Sequence, residues 1–79
     1  VGAEMCIRDS DMSDAVQTLV RAVFDKGVRR LEITCDSLNR ASAGVALRNG
    51  FEYEGTQREA IYTYGEFHDR EVYVRFNRK

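Results

Sequence analysis

Two segments of helical periodicity each stop at a glycine, and each then hands over to a segment of strand periodicity. That pair of joints places the chain in the α/β class. In the first segment Val16, Leu19, Val20, Val23 and Phe24 recur at i, i+3, i+4, i+7 and i+8 and form one apolar stripe. Asp11 and Ser13 are candidate N-caps, and Asp14 suits the positive end of the helix dipole. Lys26 suits the negative end and Gly27 the position just past it, so the spacing predicts a helix from Ser13 to about Lys26. Arg30–Asp36 then alternates, with Leu31, Ile33 and Cys35 facing one way and Arg30, Glu32 and Thr34 the other. A helix feeding a strand through one glycine is an αβ unit with a short loop.

The second joint begins with the polar run Asp36-Ser37-Leu38-Asn39-Arg40-Ala41-Ser42, which can open a helix. Asn39 is its best N-cap, with Ser42 three residues on. The helix runs to about Arg48 and Asn49-Gly50 ends it. Ala41, Ala43, Gly44 and Ala46 give it a surface of small residues, which lets a ligand or a neighbouring backbone come close; tight packing on a sheet needs the same composition. Phe51 to about Tyr62 reads as a strand, with Gly55 as a bulge or bend. Glu71–Phe76 reads as another, with Val72, Val74 and Phe76 on one face, and Tyr64–Asp69 as the hairpin connection. The expected order is α-β-α-β-β, with three strands and the last one central.

At 79 residues this is one small domain near the lower limit of independent stability. Its 12 basic and 13 acidic residues leave no basic surplus, which argues against a nucleic-acid partner. No Pro and no long apolar run are present, so no membrane span is expected. Cys6 and Cys35 have no partners at zinc-ligand spacing, so no metal site is expected, and reduced thiols point to the cytoplasm. Cys35 reads as a small buried hydrophobe, His68 as a surface residue, and Tyr53, Tyr62, Tyr64 and Tyr73 as strand packing. From the residues alone, a small non-enzymatic α/β interaction or RNA-binding module is the alternative to an enzyme.

A further pattern runs through these elements. Leu19 to Leu31, then Asn39-Arg40-Ala41-Ser42, then Arg48-Asn49-Gly50-Phe51-Glu52-Tyr53-Glu54-Gly55-Thr56-Gln57-Arg58, then Gly65 and Asp69, resembles the C-terminal half of a GNAT N-acetyltransferase. Within that superfamily the chain resembles the RimJ/RimL-like branch. The resemblance covers about Ser13 to Phe76 and implies an acyl-CoA N-acyltransferase fold with a three-stranded mixed sheet. It implies acetyl transfer from acetyl-CoA to an amine, either a protein N-terminus or a small molecule. It also implies that a Gln/Arg-x-x-Gly-x-Gly/Ala turn before the first helix cradles the pyrophosphate. No Gly-x-Gly stands upstream of Ser13, so the fragment alone is expected to be inactive.

The same resemblance implies the site residues. Asn39 hydrogen-bonds the pantetheine arm, Ser42 lies at the cofactor thiol and protonates the departing thiolate, and Arg48 lies near the nucleotide. Each has a plainer reading: Asn39 as a cap only, Ser42 as a hydroxyl bonded to local backbone, Arg48 as a solvated helix-end cation. Many members use a Tyr acid four residues before the Gly-Phe; that position is Ala46 here. Asp69 matches a structural aspartate of the family.

Val1–Ser10 stands apart, with neither a helical nor a strand period. Met5-Cys6-Ile7-Arg8-Asp9 is similar to the translation of a transposase mosaic-end sequencing adapter. Residues 1–10 are therefore expected to be non-native and residues 11–79 to form the C-terminal part of the acetyltransferase domain. With the upstream strand missing, Arg30–Asp36 is expected to present an unpaired edge through which the chain self-associates.

Overall fold

The computed structural model describes residues 2–6 and 13–77. The elements among them are β1 (Gly2–Cys6), α1 (Ser13–Asp25), β2 (Arg30–Asp36), α2 (Arg40–Arg48), β3 (Glu52–Thr63) and β4 (Glu66–Phe76). The candidate cap Asp11 lies outside the described residues.

Both helices stop by the same device. Gly27 takes a φ of +92°, its N–H donates to the Phe24 carbonyl, and the Val28 N–H donates to Val23. Gly50 takes a φ of +82°, its N–H donates to Leu47, and the Phe51 N–H donates to Ala46. These paired bonds are Schellman motifs, which need a left-handed residue just past the helix end. Each reverses the chain directly into a strand.

The sheet order is β1-β2-β4-β3. β4 is antiparallel to both β2 and β3, with Ile33 opposite Tyr73, so the three expected strands and the central place of the last one are found. The strand count is not three, however. Gly2–Cys6, from the segment set apart above, pairs parallel with β2 from Gly2↔Arg30 to Cys6↔Thr34 and makes the sheet mixed. Gly, Ala and Glu are poor strand formers, so the five residues carry no local signal; the partner ladder supplies the conformation. The edge of β2 expected to drive self-association is therefore covered by β1 in this structure.

The hairpin is also tighter than its sequence suggests. Tyr64 and Gly65 alone connect β3 to β4, at φ values of +52° and +77°. Positive φ at both central residues is the turn that matches strand twist. Glu66–Arg70 thus belongs to β4 rather than to a loop. Gly55 marks a register shift as expected, and a second shift falls between Gln57 and Ile61, where Glu59 has φ +53°. Asp69 Oδ1 accepts the Glu59 N–H at 2.9 Å and holds that irregularity in place.

Both helices cover one face of the sheet. Val16 and Val20 of α1, Ala43, Val45 and Ala46 of α2, Leu31, Ile33 and Cys35 of β2, Phe51 and Tyr73 form the core. Leu19 of the predicted stripe is 45% exposed and lies outside it. At the far end of the sheet Asn77 Nδ2 donates to the Phe24 carbonyl, while Arg75 donates to the Asn49 carbonyl at 2.8 Å and stands over the Phe24 ring. The ends of α1 and α2 are thereby tied to the last strand.

Candidate functional site

The expected site residues sit on α2, and their placement follows from how α2 starts. Asp36, the last residue of β2, makes an Asx turn: its Oδ1 accepts the Leu38 N–H at 2.9 Å, and its carbonyl accepts the Asn39 N–H. Asn39 then caps the helix, its Oδ1 accepting the Ser42 N–H at 3.1 Å. The capping reading of Asn39 is thus found. Capping uses only the oxygen: among the described residues no hydrogen bond from Asn39 Nδ2 is seen, and its two donors remain available. Ser42 lies on the inner face of α2 and is fully buried.

Asn39 and Ser42 are therefore brought together, and Arg48 is not. It stands nine residues along α2, about 13 Å from Asn39 at 1.5 Å per residue. Its guanidinium folds back so that a Cβ on Gly44 would meet it at 3.2 Å. Arg40, exposed at the first helical residue, faces the Glu71 carboxylate at 3.9 Å.

The parallel pair frames this corner. The β1–β2 ladder ends at Cys6↔Thr34, while β2 runs on to Asp36 and turns into α2. In α/β sheets the carboxyl end of a strand that feeds a helix, as β2 feeds α2, is the usual place for a ligand.

Sequence reasoning missed one member of the corner. His68, read as a surface residue in a loop, is in β4, and its side chain is only 15% exposed. Its Nδ1 is 2.6 Å from Asp36 Oδ2, and its Nε2 is 3.4 Å from Glu66 Oε2. The Leu38 N–H and the His68 ring together hold the Asp36 carboxyl below its usual range. Asp36, and then Glu66, raise His68 above an ordinary histidine. The one signal was the i+2 spacing His68, Arg70, Val72, Val74, which extends the strand alternation back through the expected loop.

Tyr53 and Tyr73 pack edge to face at 5.7 Å, and Tyr62 packs on Phe67, so most of the tyrosine set is strand packing, while Tyr64 is fully exposed at the turn. A groove lined by Val20, Phe24, Arg75 and Asn77 lies at the opposite end of β2 from Asp36.

No family model matches the chain, and no curated protein matches it. Solved structures do. A probable GNAT-family acetyltransferase from Chromobacterium violaceum is 41% identical over 81% of this chain and 32% of its own, with a TM-score of 0.77. RimL, a ribosomal alpha-N-protein acetyltransferase in complex with coenzyme A, is 39% identical over 82% of this chain and 37% of its own, with a TM-score of 0.78. A microcin self-immunity acetyltransferase in complex with acetyl-CoA and AMP is 30% identical over 84% and 37%, with a TM-score of 0.78. The chain thus spans about a third of the length of each of these three proteins.

Proposed function

From the premise that this chain carries a part of the GNAT N-acetyltransferase fold, of the RimL-like kind, we propose that it forms the pantetheine side of an acetyl-CoA site. The observation that carries the reading is the corner at the end of β2, where Asn39 caps α2 through its oxygen and keeps its amide donors for a ligand. Those donors suit the carbonyls of the pantetheine amides. Ser42, one helical turn on, supplies the proton. As an amine nitrogen bonds to the acetyl carbon, the carbon–sulfur bond breaks, the Ser42 hydroxyl protonates the thiolate that leaves, and the proton shed by the amine nitrogen returns through solvent to restore the hydroxyl. Ser42 is enclosed here, so this role requires the thioester to enter beside β2. Arg48, at the far end of α2, is assigned to the nucleotide side.

The acceptor is an amine of a protein N-terminus or a small molecule, and the reaction belongs to a longer protein of the cytoplasm. No helix among the described residues is long and apolar enough to cross a membrane. Residues 1–10 are proposed to come from an adapter rather than from that protein. The 79-residue chain alone carries no pyrophosphate turn upstream of Ser13 and is expected to transfer no acetyl group.

Titrating pantetheine into the isotope-labelled chain tests the reading. Amide shifts confined to Leu38–Ser42 and to the Asn39 side chain are expected. Shifts confined to the groove at Phe24 and Asn77, or none at millimolar pantetheine, would overturn it.

A further inference from the structure

Asp36 divides its two carboxylate oxygens between two tasks. Oδ1 holds the Leu38 N–H, which shapes the turn into Asn39, and Oδ2 holds the His68 ring at 2.6 Å. His68 is on a different strand, 32 residues away in sequence, and its side chain is largely enclosed. The Asp36 carbonyl meanwhile accepts the Asn39 N–H, and the Asp69 carbonyl, next to His68, accepts the Ser37 N–H. The N–H groups of Ser37, Leu38 and Asn39 are therefore each held by Asp36 or by the strand that carries His68. We infer that His68 is a positioning residue for the pantetheine corner: by orienting the Asp36 carboxylate it sets the turn that aims the Asn39 amide. This deepens the function proposed above and rests on it for the identity of the ligand.

The charged surroundings make the coupling depend on pH. Facing the His68 ring are Asp36 from β2 and Glu66 from its own strand. Ile61, opposite His68 on β3, is uncharged. Arg70, the register partner of Asp36, is held by Gln57 and the Ala60 carbonyl of β3. His68 is raised above its ordinary value and Asp36 lowered. The ion pair is therefore complete between the two. It weakens as pH rises through the raised histidine value, and again as pH falls through the lowered carboxylate value.

The test is a pH titration of the isotope-labelled 79-residue chain, followed at the His68 ring and at the Leu38, Asn39 and Ser42 amides. The three amides are expected to titrate with the His68 midpoint in the unsubstituted chain and to lose that step in His68→Gln. Pantetheine affinity, read from the same spectra, should fall about threefold as His68 deprotonates and lie flat in His68→Gln, the scale of one loosened neutral hydrogen bond. Amides at Leu38–Ser42 that stay flat through the His68 step would overturn the inference, and the unsubstituted chain decides this even if the variant fails to fold. Amides that follow His68 while pantetheine shifts nothing at any pH would uphold the coupling and overturn the ligand assignment instead.

Discussion

Replacing Asn39 in two ways separates its two roles. The Asn39 oxygen satisfies the Ser42 N–H at 3.1 Å, one of the orphan donors at the start of a nine-residue helix. Asn39→Ala removes that acceptor and should cost about 1 kcal/mol. For a domain of this size that lowers Tm by roughly 4–8 °C. Asn39→Ser keeps a capping oxygen of nearly equal rank, so its Tm should stay within about 2 °C. Serine is preferred to aspartate because a second carboxylate would stand beside Asp36. Both variants lose the amide donors, and both should bind pantetheine about 3–10-fold more weakly, the net worth of one neutral hydrogen bond. Thermal melts by circular dichroism and pantetheine titration by chemical shift give the two readouts. If Asn39→Ser binds as tightly as the parent sequence, Asn39 is a cap and nothing more. If Asn39→Ala melts with the parent sequence, the capping argument itself is wrong.

Other outcomes follow from the packing. Ile33 is fully buried in the core that both helices and Tyr73 share, so Ile33→Ala should cost about 2–5 kcal/mol and leave the chain largely unfolded by urea titration at 37 °C. Gly50→Ala forces a side chain into a φ of +82° beside the Arg75 guanidinium and should cost about 1–2 kcal/mol in the same assay. The melting temperature should rise as pH climbs from the lowered Asp36 value to the ordinary carboxylate value, and fall as pH rises from the ordinary histidine value through the raised His68 value. His68→Gln should abolish the upper limb of that profile.

The readable parts of the fold were those with a local cause. The stripe from Val16 to Phe24, the alternation of Leu31, Ile33 and Cys35, and the glycine stops at Gly27 and Gly50 each write their geometry into a few adjacent residues. Asn39 was legible as a cap for the same reason. What escaped depended on distant partners. β1 is a strand because β2 offers it a ladder, and nothing in Gly2–Cys6 announces that. The outer half of β4 hid because Phe67 is the one apolar residue in Glu66–Arg70, so alternation of hydrophobicity had little to show. His68 was lost with it: a histidine assigned to a loop has no partner, whereas in register on β4 it meets Asp36. Arg48, placed by resemblance near the nucleotide and not at the pantetheine arm, stands about 13 Å from Asn39 along α2.

The central claim is that this chain supplies the thioester side of an acetyl-transfer site, with Ser42 as the proton donor. It is met most directly by steady-state kinetics of a longer protein that contains this chain. Release of the coenzyme A thiol would be followed against acetyl-CoA and an amine acceptor. Amine-dependent thiol release is expected, with Ser42→Ala lowering kcat roughly 100-fold while KM for acetyl-CoA stays within about twofold, as for an interaction made only in the transition state. An unchanged kcat in Ser42→Ala, or no amine-dependent thiol release from the parent protein, would contradict it.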